Sequence, residues 1–133
     1  MLVVASSLEV KDQKIKLSAI MLNQYPNLPE VGDALKRVLQ VLFWDVTSTN
    51  DYFTGKISEK AKRTGQKSKE HHYGASQFSL ELMERALSEN ITEVDIRAAL
   101  GEKMTWNYTT SEENTTLRHN NQDYSKISKL VNY

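Results

Sequence analysis

Apolar residues recur at Val31, Leu35, Val38, Leu39, Leu42 and Phe43, three and four positions apart, and so trace one face of a helix. Trp44 and Val46 extend that face, and Pro29 suits the first turn, where its missing N–H costs nothing. Upstream, Ile15, Leu17, Ile20, Met21 and Leu22 predict a helix from about Lys14 to Gln24, preceded by a short strand over Leu2–Ala5. Pro26 and Pro29 break the chain between the two helices. After a turn cluster at Thr47–Asp51, a short helix is expected over Ser58–Arg63. Phe78, Leu82, Met83, Ala86 and Leu87 predict a helix that starts near Ser76 or Ser79 and closes at Asn90. Thr92 with Asp95 reads as the N-cap of the next helix, which Val94, Ile96, Ala98, Ala99 and Leu100 would pack and Gly101 would end. Met104–Thr109 is aromatic and β-branched, the composition of a strand. Thr110 or Ser111 then caps a further helix, with Glu113 closing a T-x-x-E box and Asn114 in its first turn. The apolar residues of the tail, Tyr124, Ile127, Leu130, Val131 and Tyr133, suggest a short amphipathic helix.

These elements make an α+β chain that is mostly helical. Its 133 residues suffice for one core, and no internal repeat divides them. With 17 basic and 17 acidic residues, the net charge says nothing about partners, so the distribution has to. Between positions 56 and 69 stand Lys56, Lys60, Lys62, Arg63, Lys67 and Lys69, against Glu59 as the sole acid. Such a run is either a solvated loop or a phosphate-contacting segment. The absence of cysteine excludes disulfides, thiolate nucleophiles and cysteine zinc sites, and fits a reducing compartment. The apolar run after Met1 is too short for a signal-peptide core, so a soluble, cytoplasmic protein is expected, and three Asn-x-Thr matches are then chance.

Candidate chemistry lies in Lys67-Ser68-Lys69-Glu70-His71-His72-Tyr73-Gly74. A neutral imidazole is both a common metal ligand and a base suited to pH 7. Phosphodiester hydrolysis needs such a base and a cation to stabilise developing charge. An adjacent histidine pair is by itself more often a surface accident. The segment Trp106-Asn107-Tyr108-Thr109-Thr110-Ser111-Glu112-Glu113-Asn114 changes the balance, since the capped helix would hold the amide oxygen of Asn114 in place for a hard cation.

These two stretches resemble the HNH, or ββα-metal, endonucleases. WNYTTSEENTTL is similar to the EW-x-T-x-x-E-N ending of HNH homing endonucleases and to the VTxxEN segment of small phage-type HNH proteins. Glu70-His71-His72-Tyr73 followed by Gln77 resembles the E-D-H-Y…Q form of the first hairpin arm. The resemblance implies a short β-hairpin followed by a helix, over about residues 56–118. Residues 1–50 would form a helical N-terminal part, and 119–133 a tail. It implies His72 as general base with His71 and Asn114 as metal ligands, and Glu70 or Glu113 in support. A register shifted by one makes Glu70 the ligand and His71 the base. The first register aligns Tyr73 and Gln77. Magnesium or manganese would be the metal and DNA the partner, with Lys60, Lys62, Arg63, Lys67 and Lys69 on phosphates.

The chain departs from the family pattern in three ways. Between His72 and Asn114 lie 41 residues, so the helices there would be an insertion between the hairpin arms. Ala75 and Ser76 stand where a proline is usual, and no position is fixed for the middle asparagine, Asn107 being one candidate. His119 is a further possible ligand, though an exposed place on the helix suits it better. Two other readings stay open. One is a non-catalytic nucleic-acid- or protein-binding module, such as a phage host-interaction protein, using the same basic segment. The other is a helical domain that associates through the Val31–Phe43 face or the aromatic tail.

Overall fold

The computed structural model describes residues 6–133; the strand expected at Leu2–Ala5 lies outside them. Helix α1 spans Ser7–Gln24, longer than its apolar spacing suggested, because Ser6 caps its first turn by accepting from the Glu9 N–H. Two 3-10 turns, Tyr25–Asn27 and Pro29–Val31, carry the chain round the prolines into α2, Gly32–Thr47. Next come β1 (Phe53–Ser58), α3 (Glu59–Thr64) and β2 (Ser68–His71). Helices α4 (Ala75–Ala86) and α5 (Glu93–Lys103) precede β3 (Trp106–Thr109) and α6 (Ser111–His119). Strand β4, Leu130–Asn132, closes the chain.

Helices α1, α2, α4 and α5 pack on one another around Ile15, Leu22, Leu39, Phe43, Phe78 and Leu100, all at most 1% exposed. The rings of Phe43 and Phe78 meet edge to face at 5.2 Å, the arrangement their quadrupoles favour. The Asn23 side chain fastens α1 to the α4–α5 link by bonding both the N–H and the C=O of Ile91, each at 2.8 Å. Both capping boxes read from the sequence are present, at Thr92/Asp95 and Thr110/Glu113.

The four-stranded sheet is mixed, in the order β2-β3-β1-β4. Strands β2 and β3 run antiparallel with α4 and α5 between them in the chain, and α6 follows β3 directly. Strand β1 joins parallel to β3, with a register shift between Phe53 and Ile57 that Gly55 accommodates at φ +82.

Several local expectations are corrected. Gly101 lies within α5, which runs two residues further. Leu87 and Val94 are exposed, and so are Val31, Val38 and Trp44 of the α2 pattern. The tail is not a helix. After α6, Asn121 and Gln122 adopt left-handed angles, Tyr124–Lys126 makes one 3-10 turn, and β4 pairs antiparallel with β1. The open edge of β1 offered backbone groups that required partners, and Leu130–Asn132 supplied them.

Candidate functional site

Side chains alternate across a strand, so β2 divides its residues between two faces. Glu70 stands opposite Asn107 in the antiparallel register, and His71 opposite Trp106. His72 continues the ladder by one bond, its N–H donating to the Thr105 carbonyl at 2.9 Å.

On the first face a chain of hydrogen bonds runs from the interior to solvent. The Glu70 carboxylate is 6% exposed, and the Tyr124 hydroxyl donates to its Oε2 at 2.6 Å. The Asn107 side chain, fully buried, lies 2.5 Å from His72 Nε2, and the Thr54 hydroxyl donates to its Oδ1, also at 2.5 Å. Asn107 Nδ2 also points at the Tyr124 oxygen, at 3.4 Å. The imidazole of His72 packs edge-on against Tyr124 and remains exposed at the outer end. Helix α6 packs against β2, and its Asn114 accepts through Oδ1 from the Thr109 hydroxyl.

Burial raises the Glu70 carboxyl to about 7, and the Tyr124 hydrogen bond only partly opposes it. The group therefore changes charge near neutrality. Its Oε1 has no protein donor among the described residues.

The opposite face holds His71, which the structure does not bring together with His72 and Asn114. It is 6% exposed, lies tilted by 52° against the Trp44 ring with the centroids 4.2 Å apart, and contacts Thr47 Oγ1 through Nε2 at 2.9 Å. The Thr47 hydroxyl proton is committed to the Phe43 carbonyl at 2.7 Å. Nε2 of His71 must then be the donor, which leaves Nδ1 a buried lone pair without a partner. Burial pushes this imidazole down to about 4, against the Thr47 bond, so it is neutral across the physiological range. Both roles considered for it, ligand and base, need it on the other face.

The basic residues are also dispersed. Lys67 and Lys69 share the His71 face. Lys67 sits 4.7 Å from the rings of both Tyr108 and Tyr133, and Lys69 4.9 Å from that of Trp106. Lys60 pairs with Glu112 at 2.9 Å, and Lys62 donates to the Asn132 carbonyl. Arg63 is exposed in the last turn of α3, and His119 is exposed on α6.

Glu113 is structural. It accepts from the Ser58 hydroxyl, the Thr110 N–H and both the N–H and hydroxyl of Ser128, at 2.5 to 3.0 Å. Burial pushes its carboxyl up, but these bonds outweigh that and hold it below the usual range.

No family model, curated protein or solved structure matches this chain. Among the described residues no group of three or more His, Cys, Asp or Glu side chains is placed to hold a metal. The Glu70 carboxylate, with one oxygen free of protein donors, and the Asn114 amide oxygen, on the helix that packs against β2, are both hard donors. Oxygens of this kind suit magnesium or manganese, which keep most of their waters and share the rest of the shell with phosphate, rather than zinc.

Thr54 and Tyr124 were not read from the sequence as site residues. The apolar spacing of the tail points to Tyr124 as a packing residue and carries no sign that its hydroxyl reaches Glu70. Asn107 did carry a signal: an asparagine between Trp106 and Tyr108 in a strand marks a polar face opposite an aromatic one.

Proposed function

We propose that this chain is a metal-dependent endonuclease that hydrolyses DNA phosphodiester bonds, with His72 as general base. The observation that carries this reading is the row Glu70–Tyr124–Asn107–His72 on one sheet face, an exposed imidazole held at the mouth of a buried, open carboxylate. Resemblance to the HNH pattern adds the helix that follows β3 and its Asn114.

His72 takes a proton from the attacking water as the new O–P bond forms and the P–O bond to the leaving oxygen breaks; that oxygen is then protonated from solvent. Glu70 and Asn114 would hold the cation, which supplies charge stabilisation at the phosphate when bound. Asn107 positions the base. With its Nδ2 toward Nε2, as placed, the neutral ring carries its proton on Nδ1. A half-turn of the amide puts Oδ1 toward Nε2–H instead and leaves the Nδ1 lone pair free to act. In that orientation Nδ2 donates to the Thr54 hydroxyl.

Among the described residues no helix is long and apolar enough to cross a membrane. A cytoplasmic place, in the host cell if the chain is phage-encoded, accompanies the nuclease reading. The second reading, a binding module without catalysis, is favoured by Lys67 and Lys69 lying over aromatic rings on the far side of the sheet, a cationic surface that does not involve His72.

Plasmid nicking by the purified chain, with magnesium or manganese against EDTA, tests the proposal. Metal-dependent cutting that drops by about a hundredfold or more in folded His72→Ala supports it. Cutting that is unaffected by His72→Ala overturns the assignment of the base. No cutting with either metal, beside a salt-sensitive gel shift, moves the weight to the binding module.

A further inference from the structure

Six large apolar side chains reach solvent on the first two helices and the turns between them: Leu17 and Ile20 on α1, Leu28 and Val31 in the turns, and Val38 and Val41 on α2, each 44–60% exposed. Ile20, Leu28, Val31 and Val38 line a groove that is almost wholly carbon, between the end of α1 and the start of α2. Helix α2 thus carries two apolar stripes. Leu35, Leu39, Phe43 and Val46 face the core, so the Val31–Phe43 pattern cannot act as a single outer surface. The outer stripe is Ala34, Val38 and Val41, continued by Val31 in the turn just before the helix.

Its spacing is three, four, three, the interval of a seam between two helices. The spacing is symmetric about position 36. Laid antiparallel on a second α2, Val31 meets Val41 at each end and Ala34 meets Val38 nearer the axis, so the one small residue faces a larger one in both central pairs. That self-complementarity is what an isologous two-fold interface requires. No charged residue interrupts the stripe, and none lines the groove. The half-open aliphatic side chains together expose on the order of 500 Å² of apolar surface; with a polar rim from Gln13, Lys16, Gln24 and Arg37, this approaches the roughly 800 Å² a side of a stable dimer.

We infer that this face binds a second copy of the chain, α2 antiparallel to α2 with α1 flanking, in a two-fold four-helix contact. The inference does not rest on the nuclease reading, since the face is built from α1 and α2 and the site from the sheet and α6.

Sedimentation equilibrium of the full chain over a wide concentration range is the test. The expected result is a mass that moves from 15.2 kDa to twice that value. Ile20→Glu and Val38→Glu, both at exposed positions and checked for helix content, weaken association by about tenfold or more. Because the chain has no cysteine, orientation can be read separately. Ala34→Cys with Val38→Cys in one chain oxidises to a covalent dimer faster than either single variant, as an antiparallel pairing demands. A monomer at all concentrations overturns the inference, as does an Ala34→Cys single variant that crosslinks as fast as the double.

Discussion

Glu70→Gln is the perturbation that most directly examines the buried carboxylate. Glutamine keeps an oxygen to accept the Tyr124 hydroxyl but cannot ionise. In the native chain the Glu70 carboxyl moves from 4.5 up to about 7. Between those values the folded state holds a proton that the unfolded state has released, so stability falls as pH rises through that window. At about 1.4 kcal/mol per pH unit, the full effect is about 3 kcal/mol, complete above pH 7. His71 acts in the other direction. Its shift from 6.5 down to about 4 means that the unfolded state binds the extra proton, so stability rises with pH between 4 and 6.5, again by about 3 kcal/mol. The two nearly cancel over the shared range, and the native profile is expected to be flat from about pH 4.5 to 6.5. Urea denaturation of native and Glu70→Gln proteins from pH 4.5 to 8 separates them. The variant should show the His71 rise unmasked and gain about 3 kcal/mol over the native chain by pH 8, relative to their difference at pH 4.5. A difference that stays constant with pH refutes the reasoning, because Glu70 would then titrate alike in both states. Manganese offers a readout apart from cutting: it should raise the melting temperature of the native chain at pH 8 and leave that of Glu70→Gln unchanged.

Two further substitutions probe the framework of the site. Asn107→Asp keeps an acceptor for a ring N–H of His72 and should retain part of the nicking rate, whereas Asn107→Ala removes the contact and should lower the rate by about tenfold or more with plasmid binding unchanged; equal loss in both variants would mean that Asn107 does not position the base. Glu113→Ala removes the acceptor of four hydrogen bonds that tie β1, α6 and the 124–128 segment together, and should cost about 3 kcal/mol or more with faster amide exchange in β4. If exchange in β4 is unchanged, Glu113 does not hold the tail.

Much of this architecture is legible in the chain itself. The inward stripe of α2, the Phe78–Met83 face of α4 and the two capping boxes all follow from contacts within four residues, which local sequence encodes directly. The same locality puts Asn114 in the first turn of a capped helix, because Thr110 and Glu113 fix that turn between them. What the sequence by itself did not determine depends on contacts between distant segments. Alternation shows that His71 and His72 point apart, but which face meets the site depends on the β2–β3 register, set across the 34 residues between His71 and Trp106. Tyr124 reaches Glu70 from 54 positions away, and β1 and β4 are strands because each supplies the other's ladder. The outer stripe of α2 was merged with its inner one, since periodicity marks apolar positions without telling which of them a neighbouring helix will cover. Only the packing of α1 and α4 against α2 separates the residues that build the core from those that remain open to a partner.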